Sequence, residues 1–273
     1  MKRMMVIWSL VLALATLSGC IAHPVEGIIG GADGPTEIIV GEWQGDVTLT
    51  CRVVEEDDGF LTLAEFGGNG VYTLNTAGIH ILWERAPGAG EKEIQEGSLV
   101  DVVHSGEILE SWPMEFAAVT ELRVRADGFD DMCEMYLDVL DDLWEADDGL
   151  NGGASMLSVE LSGTSLSPSE QAAVRWVFGN ECGISTVLDL SMEELKKEDY
   201  IKVEEDHFTH WEDGVYIQIT EEEMEGVYSL CPVTFDAWKW RSSLGAYFFS
   251  DCNAVQNAMG SWSDYTVGAH MIS

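Results

Sequence analysis

The sequence predicts an α+β protein in two parts, a small β-barrel followed by an α+β domain with helices first and a mostly antiparallel sheet. Three observations carry this expectation. Five or six short strand signals of period two fall between Asp46 and Arg125, the clearest helical stripe of the chain begins only at Phe129, and after about Asp199 the pattern is strand-like again. Apolar residues recur every second position on a half-buried strand and every third or fourth on a surface helix, so a change of period marks a change of layer. Helices followed by a run of strands is an α+β order.

Composition bounds what the chain can be. It has 273 residues with 49 Asp+Glu against 13 Lys+Arg, a formal charge of −36, yet 46% of it is hydrophobic and 10% aromatic. That is too apolar for a disordered acidic tail. The length allows one or two domains of ordinary size, and two are expected. The negative charge argues against a nucleic-acid partner, which needs a basic footprint, and against electrostatic docking on anionic lipid.

Residues 1–19 read as an export signal: Lys2 and Arg3 precede an apolar run from Met4 to about Leu17 that ends in small residues. The run is too short for a permanent membrane helix, which takes about 20 apolar residues. Leu17-Ser18-Gly19-Cys20 matches the bacterial lipobox, and the resemblance implies cleavage before Cys20 and acylation of its sulfur and amine. An ordinary cleaved signal peptide is the plainer alternative. The lipobox reading places the protein on the extracytoplasmic face of the cell membrane, with membrane lipid as its first partner. Of the other cysteines, at 51, 133, 182, 231 and 252, no two form a CxxC, so mostly buried free thiols are expected rather than a disulfide framework or a zinc site.

Residues 20–45 form a lipid-anchored linker, rich in Gly and Pro. Gly30-Gly31-Ala32-Asp33-Gly34-Pro35-Thr36 resembles a segment of the membrane-embedded β subunit of sodium-translocating decarboxylases. The membrane helices that surround that aspartate in the family are missing here, so the ion-path function is not carried over. The segment reads as a turn.

Residues 46–126 are the predicted barrel. Val47, Leu49, Cys51 and Val53 alternate with polar residues, and Asp57-Asp58-Gly59 makes a hairpin turn into Phe60 to Phe66. Further strands are expected around Val71 to Leu74, Ile79 to Trp83, Leu99 to His104 and Phe116 to Val124. The stretch Gly97 to Pro113, with a turn at Gly106 and then Ile108-Leu109-Glu110-Ser111-Trp112-Pro113, resembles the closing strands of a family of small secreted OB-like domains of unknown function. The resemblance implies an OB-like barrel, a fold that binds oligonucleotides or oligosaccharides on one sheet face. The acidic charge leaves a glycan or peptide as the ligand class.

Residues 127–273 are the predicted α+β domain. Apolar positions 129, 132, 135, 136, 139, 140, 143 and 144 make one helical stripe, with acids on the opposite face. Asp147-Asp148-Gly149-Leu150-Asn151-Gly152 has the look of a calcium loop but lacks the expected ligands, so a solvated turn is the preferred reading. Met156 to Leu161 alternates like a strand. Ser167-Pro168-Ser169-Glu170 and Ser191-Met192-Glu193-Glu194 are capping boxes that open two more helices. Strands are expected at Val215 to Thr220, Gly226 to Phe235, Ala246 to Cys252 and Trp262 to His270. The segment from about Tyr136 on, with Trp240-Arg241-Ser242 and Gly260-Ser261-Trp262, looks like the second half of two-part lipoproteins from Gram-positive gut bacteria, which brings no activity with it.

Two groups could carry chemistry. His207 and His210, near Asp206, Glu212 and Asp213, are weak metal candidates, with loop histidines beside solvated acids the preferred alternative. Trp238, Lys239, Trp240 and Arg241 form the candidate ligand-binding segment: two cations framed by indoles can grip an anion or stack on a sugar, although such residues more often pair with neighbouring acids. Lys239 and Arg241 are the only Lys or Arg after Lys202. No GxSxG, SxxK, GxxxxGK[ST] or HExxH occurs. No catalytic residue is assigned and no cofactor is expected. The reading leans away from an enzyme and towards a lipid-anchored extracellular binding or accessory module with a glycan or protein partner. The alternative is a hydrolase of cell-wall or dietary glycan using carboxylates the sequence does not single out.

Overall fold

The computed structural model describes residues 46–84, 93–204, 207–222 and 231–273. Cys20, the signal segment and the linker lie outside the described residues, as do Asp206 and the start of the strand expected at Gly226. The described residues belong to one compact unit. Among the described residues no helix is long and apolar enough to cross a membrane.

The first sheet holds eight strands: β1 (Val47–Asp57), β2 (Phe60–Glu65), β3 (Val71–Asn75), β4 (His80–Trp83), β5 (Leu99–His104), β6 (Ile108–Leu109), β7 (Met114–Phe116) and β8 (Val119–Val124). The β1–β2 turn is made by Asp58 and Gly59 at φ 48° and 85°, with Asp57 paired to Phe60. Positive φ at both central residues is the type I′ geometry that matches strand twist. Pairing runs β4-β8-β5-β1-β2-β3, so it starts on β4 and ends on the strand just before β4 in the chain, with β7 and β6 added beyond β3. The sheet thus curls round Cys51, Val53, Leu61, Leu63, Val100, Val102 and Leu122.

The second part adds α1 (Met132–Glu145), β9 (Met156–Gly163), α2 (Pro168–Glu181), β10 (Thr186–Leu188), α3 (Met192–Lys197), β11 (Lys202–Val203), β12 (Thr209–His210), β13 (Gly214–Glu221), β14 (Cys231–Ser242), β15 (Gly245–Gln256) and β16 (Ala269–Ile272). Its sheet runs β10-β9-β13-β14-β12-β11, with β15 on β14 and β16 on β15. β9 is parallel to both β10 and β13, and the other pairs are antiparallel.

This corrects the α+β expectation. The described chain is mostly β, sixteen strands in two large sheets against three α-helices and one short 3-10 helix, and the helices do not come first. β9 sits between α1 and α2 in sequence and pairs between β10 and β13 in the sheet. A parallel crossover needs a helix between its strands, so helices and strands interleave there instead of segregating.

Packing also crosses the expected boundary at residues 126 and 127. Val54, Ala64 and Val71 of the first sheet belong to the same buried cluster as Tyr136, Leu140, Val174, Phe178 and Ile217. α2 supplies the joint: it contacts β1, β2 and β3 as well as β9 and β10, and Ser169 Oγ donates to the Glu65 carbonyl at 2.8 Å. Its start is fixed by the capping box, with the Ser167 hydroxyl accepting from Glu170 N, the Glu170 carboxylate accepting from Ser167 N, and Pro168 in the first turn. Ser167→Ala is expected to lose about 1 kcal/mol, read as a lower urea midpoint with unchanged slope.

Among the described residues Cys51, Cys133 and Cys252 are buried and Cys182 half-buried, all as free thiols. Burial pushes the Cys182 and Cys252 thiols up to about 12, which removes thiolate character at neutral pH.

Candidate functional site

The tryptophan and cation segment lies on β14, where alternate side chains face opposite sides of the sheet. Lys239 is 0% exposed. Its ammonium donates to the carbonyls of Trp144, Ala146 and Asp147 at 3.0, 2.6 and 3.3 Å and to Asn151 Oδ1 at 3.0 Å. The segment with the look of a calcium loop therefore does gather oxygens round a cation, and the cation is the chain's own lysine. Arg241 donates to the carbonyls of Leu150, Gly152 and Glu212. Both cations hold the loop after α1, and their hydrogen bonds go to the chain's own oxygens. Trp240 is buried with Trp211, Tyr216, Leu195 and Ile201 under α3.

Trp238 is half-buried on the same face as Trp240, packed against that cluster and edge-on to Tyr216 at 5.3 Å between ring centroids. It stacks on Phe248 with ring centroids 5.5 Å apart and planes 3° from parallel, and its indole N–H donates to Gln218 Oε1 at 2.7 Å. The structure thus puts the two indoles on one face of β14 and the two cations on the other, bonded to the 144–152 segment, instead of converging all four. The histidines are separated too. His207 occupies an exposed turn at φ 68°, whereas His210 lies in β12 and stacks on Phe208. Among the described residues no three His, Cys, Asp or Glu side chains come together as a metal site.

A wide concavity lies elsewhere, where the first sheet meets the start of α1. It encloses about 1320 Å³. Three chain segments wall it, and each is fixed by a bond or a glycine. Gly97, at φ 85°, accepts from Asp130 N at 3.0 Å, and a Cβ there would lie 2.8 Å from Asp130 backbone atoms. Only glycine fits a position with both positive φ and so close an approach. Asp131 accepts from Trp262 N and Ser261 Oγ at 2.7 and 2.9 Å, while Asp130 Oδ1 accepts from the Trp262 indole at 2.9 Å, which docks the 257–262 turn on the helix start. The N-cap residue Asp131 thereby makes no side-chain cap bond, while Asp130 Oδ1 also accepts from Met132 N at 3.2 Å, the first amide of α1. Behind the junction stands Arg52, whose Nε donates to Glu170 at 2.7 Å and whose Nη1 donates to the carbonyls of Gly97, Gly128 and Asp130.

The cleft lining combines rings with hydrogen-bonding groups: Trp83, Phe66 and Phe129 beside Gln95, Gln256 and Asn257. Phe66 is 57% exposed and Met259, on the opposing turn, 77% exposed. Two carboxyls in the lining are joined. Glu134 on α1 is hydrogen-bonded to Glu96, and Glu96 Oε1 also accepts from Glu56 N at 3.3 Å. Burial pushes the Glu134 carboxyl up to about 7, helped by the negative charges of Glu96, Asp131 and Asp138. Glu134 therefore keeps its proton over much of the acid range.

No family model, curated protein sequence or solved structure matches the chain. The cleft residues were not singled out by sequence reasoning. The local signals near the cleft are glycines, Gly97 behind the wall and Gly128 and Gly260 in the lining, and a glycine in a turn has many explanations.

Proposed function

We propose that the chain is a lipid-anchored extracytoplasmic binding or accessory module, tethered through acylated Cys20, that holds a glycan in the cleft lined by Trp83, Phe66 and Phe129. The observation that carries this reading is the composition of that lining. Aromatic faces pack on the C–H faces of a sugar, and amide and carboxyl side chains fix its hydroxyls. The Glu96–Glu134 pair does not have the spacing of a hydrolase pair. Sugar hydrolysis uses two carboxyls roughly 5–10 Å apart, whereas Glu96 and Glu134 are in hydrogen-bond contact. One observation favours the hydrolase as second reading: a carboxyl protonated near neutral pH, like Glu134, is in the right state for a general acid.

Glycan-array binding by the full mature chain, followed by product analysis of each bound glycan, tests both readings. Binding without cleavage is the expected result. Phe66→Ala removes a half-exposed ring and is expected to weaken binding about tenfold, roughly 1.4 kcal/mol, with a small loss of stability from its contact with the Arg52 guanidinium 5.9 Å away. Cleavage products would favour the hydrolase, and no binding to any glycan would overturn both.

A further inference from the structure

β16 closes one side of the second sheet: β15 pairs with it, and among the described residues nothing pairs with its outer edge. The register shows what that edge offers. Ser273 and Ala246 exchange backbone hydrogen bonds of 3.0 and 3.4 Å, so Ser273, and Met271 two residues before it, turn their backbone groups towards β15. Alternate residues of an antiparallel ladder turn the other way. The N–H and C=O of His270 and Ile272 therefore point outward, four polar groups that a further strand would satisfy.

The side chains single out the same edge. Proteins commonly guard an edge strand with charge, proline or a bulge. β16 has none of these: its register with β15 is unbroken, and residues 242–250 and 265–273 hold no Asp, Glu, Lys, Arg or Pro in a chain that is 23% charged. Met271 is 49% exposed and Ile272 72%. Because β15 and β16 are neighbours, the two stretches form one uncharged strip on a chain of formal charge −36. Apolar residues lead up to it from within the sheet. Trp238, Phe248 and Met271 stand directly opposite one another on β14, β15 and β16, so the stacked rings continue into the Met271 thioether.

We propose that β16 is a self-association edge: two copies of the chain pair their β16 strands antiparallel about a two-fold axis at Met271, joining two second sheets into one. In this register His270 pairs with the partner's Ile272 on both sides of the axis, which uses all four outward groups of each copy. Met271 then faces the partner's Met271 in a non-hydrogen-bonded pair, with Cβ atoms about 4.5–5.5 Å apart. The edge is complementary to itself, as an isologous contact requires. Charge selects the same contact. Two bodies of this net charge repel each other, least where neither surface is charged, and a basic or acidic partner finds no opposite charge on this edge. Pairing so short a strand buries little area, so the dimer is reversible, and it is strengthened by salt, which screens the acidic bodies from each other. None of this depends on what the cleft holds.

Sedimentation velocity of the full mature chain in density-matched detergent reads the dimer. A concentration-dependent shift from monomer to dimer is expected at about 0.5 M salt, with association about tenfold weaker at about 0.02 M. Ile272→Pro removes an outward N–H; proline is tolerated on an edge strand at such a position, so the chain keeps its fold while the dimer loses two hydrogen bonds. Met271→Glu sets two carboxylates face to face on the axis. Both variants are expected to remain monomeric at concentrations where the parent is dimeric. Copper-catalysed oxidation in the same detergent reads the register. Met271→Cys is expected to cross-link about ten times faster than Ile272→Cys, because position 271 meets itself on the axis and position 272 does not. A parent that stays monomeric, a dimer that persists in either variant, or equal cross-linking at the two positions would overturn the proposal.

Discussion

Arg52→Met is expected to destabilise the fold by about 3–5 kcal/mol, the range for removing one partner of a buried ion pair. Arg52 is the pin at the junction on which the cleft depends. Its side chain is 9% exposed and that of Glu170 16%, so neither charge has free access to water. Methionine fills the space of the aliphatic stem but leaves the Glu170 carboxylate without its counter-charge and the Gly97, Gly128 and Asp130 carbonyls without this donor. Glu170 also closes the capping box of α2, so the loss extends to the helix that joins the sheets. Urea unfolding measures the cost. Arg52→Met with Glu170→Met is expected to recover part of it, since the orphaned carboxylate goes too. A single variant within 1 kcal/mol of the parent would show that the junction is held by packing instead.

Lys239→Met is the second large effect, about 3 kcal/mol, because four oxygens gathered on one ammonium lose it together. It has a pH signature. Burial draws the Lys239 ammonium down from 10.5 to about 8, against the opposing pull of Asp147 and Asp148. Between those values the unfolded chain binds the extra proton, so this residue's contribution makes stability rise with pH from about 8 upward. Buried thiols such as Cys182 and Cys252, raised from 9.0, act in the opposite sense over the alkaline range. The difference between parent and variant isolates the lysine: the stability gap is expected to widen from pH 8 to 10. A gap independent of pH would mean that the ammonium keeps its ordinary affinity for protons.

Local features of this fold were legible because their causes are local. The Asp58-Gly59 turn and the capping boxes at Ser167 and Ser191 lie where the residue types dictate. The apolar stripe gave α1 to within three residues at its start, where Asp131 bonds to the 261–262 turn instead of capping the helix and Asp130 is shared between the Trp262 indole and the Met132 amide. The pairing of β9 between two parallel neighbours was not legible, since strand partners are chosen by long-range packing that one periodicity does not encode. For the same reason Lys239 and Arg241 read as a possible anion grip. Their acceptors are carbonyls of residues about 90 positions earlier in the chain, and a backbone carbonyl has no sequence signature. The cleft was hidden most completely. Glu96 and Glu134 are two of 49 acids, and only the fold brings them into contact.

The central proposal is that a glycan occupies the cleft. Backbone amide shift mapping, on the mature chain in detergent micelles with the strongest glycan from the array, tests this most directly. The expected result is a set of perturbed amides at Phe66, Trp83, Gln95, Phe129 and Asn257, needing about ten times more glycan in Phe66→Ala. Perturbations confined to the Trp238 and Phe248 face of the second sheet, with the cleft amides unmoved, would contradict it.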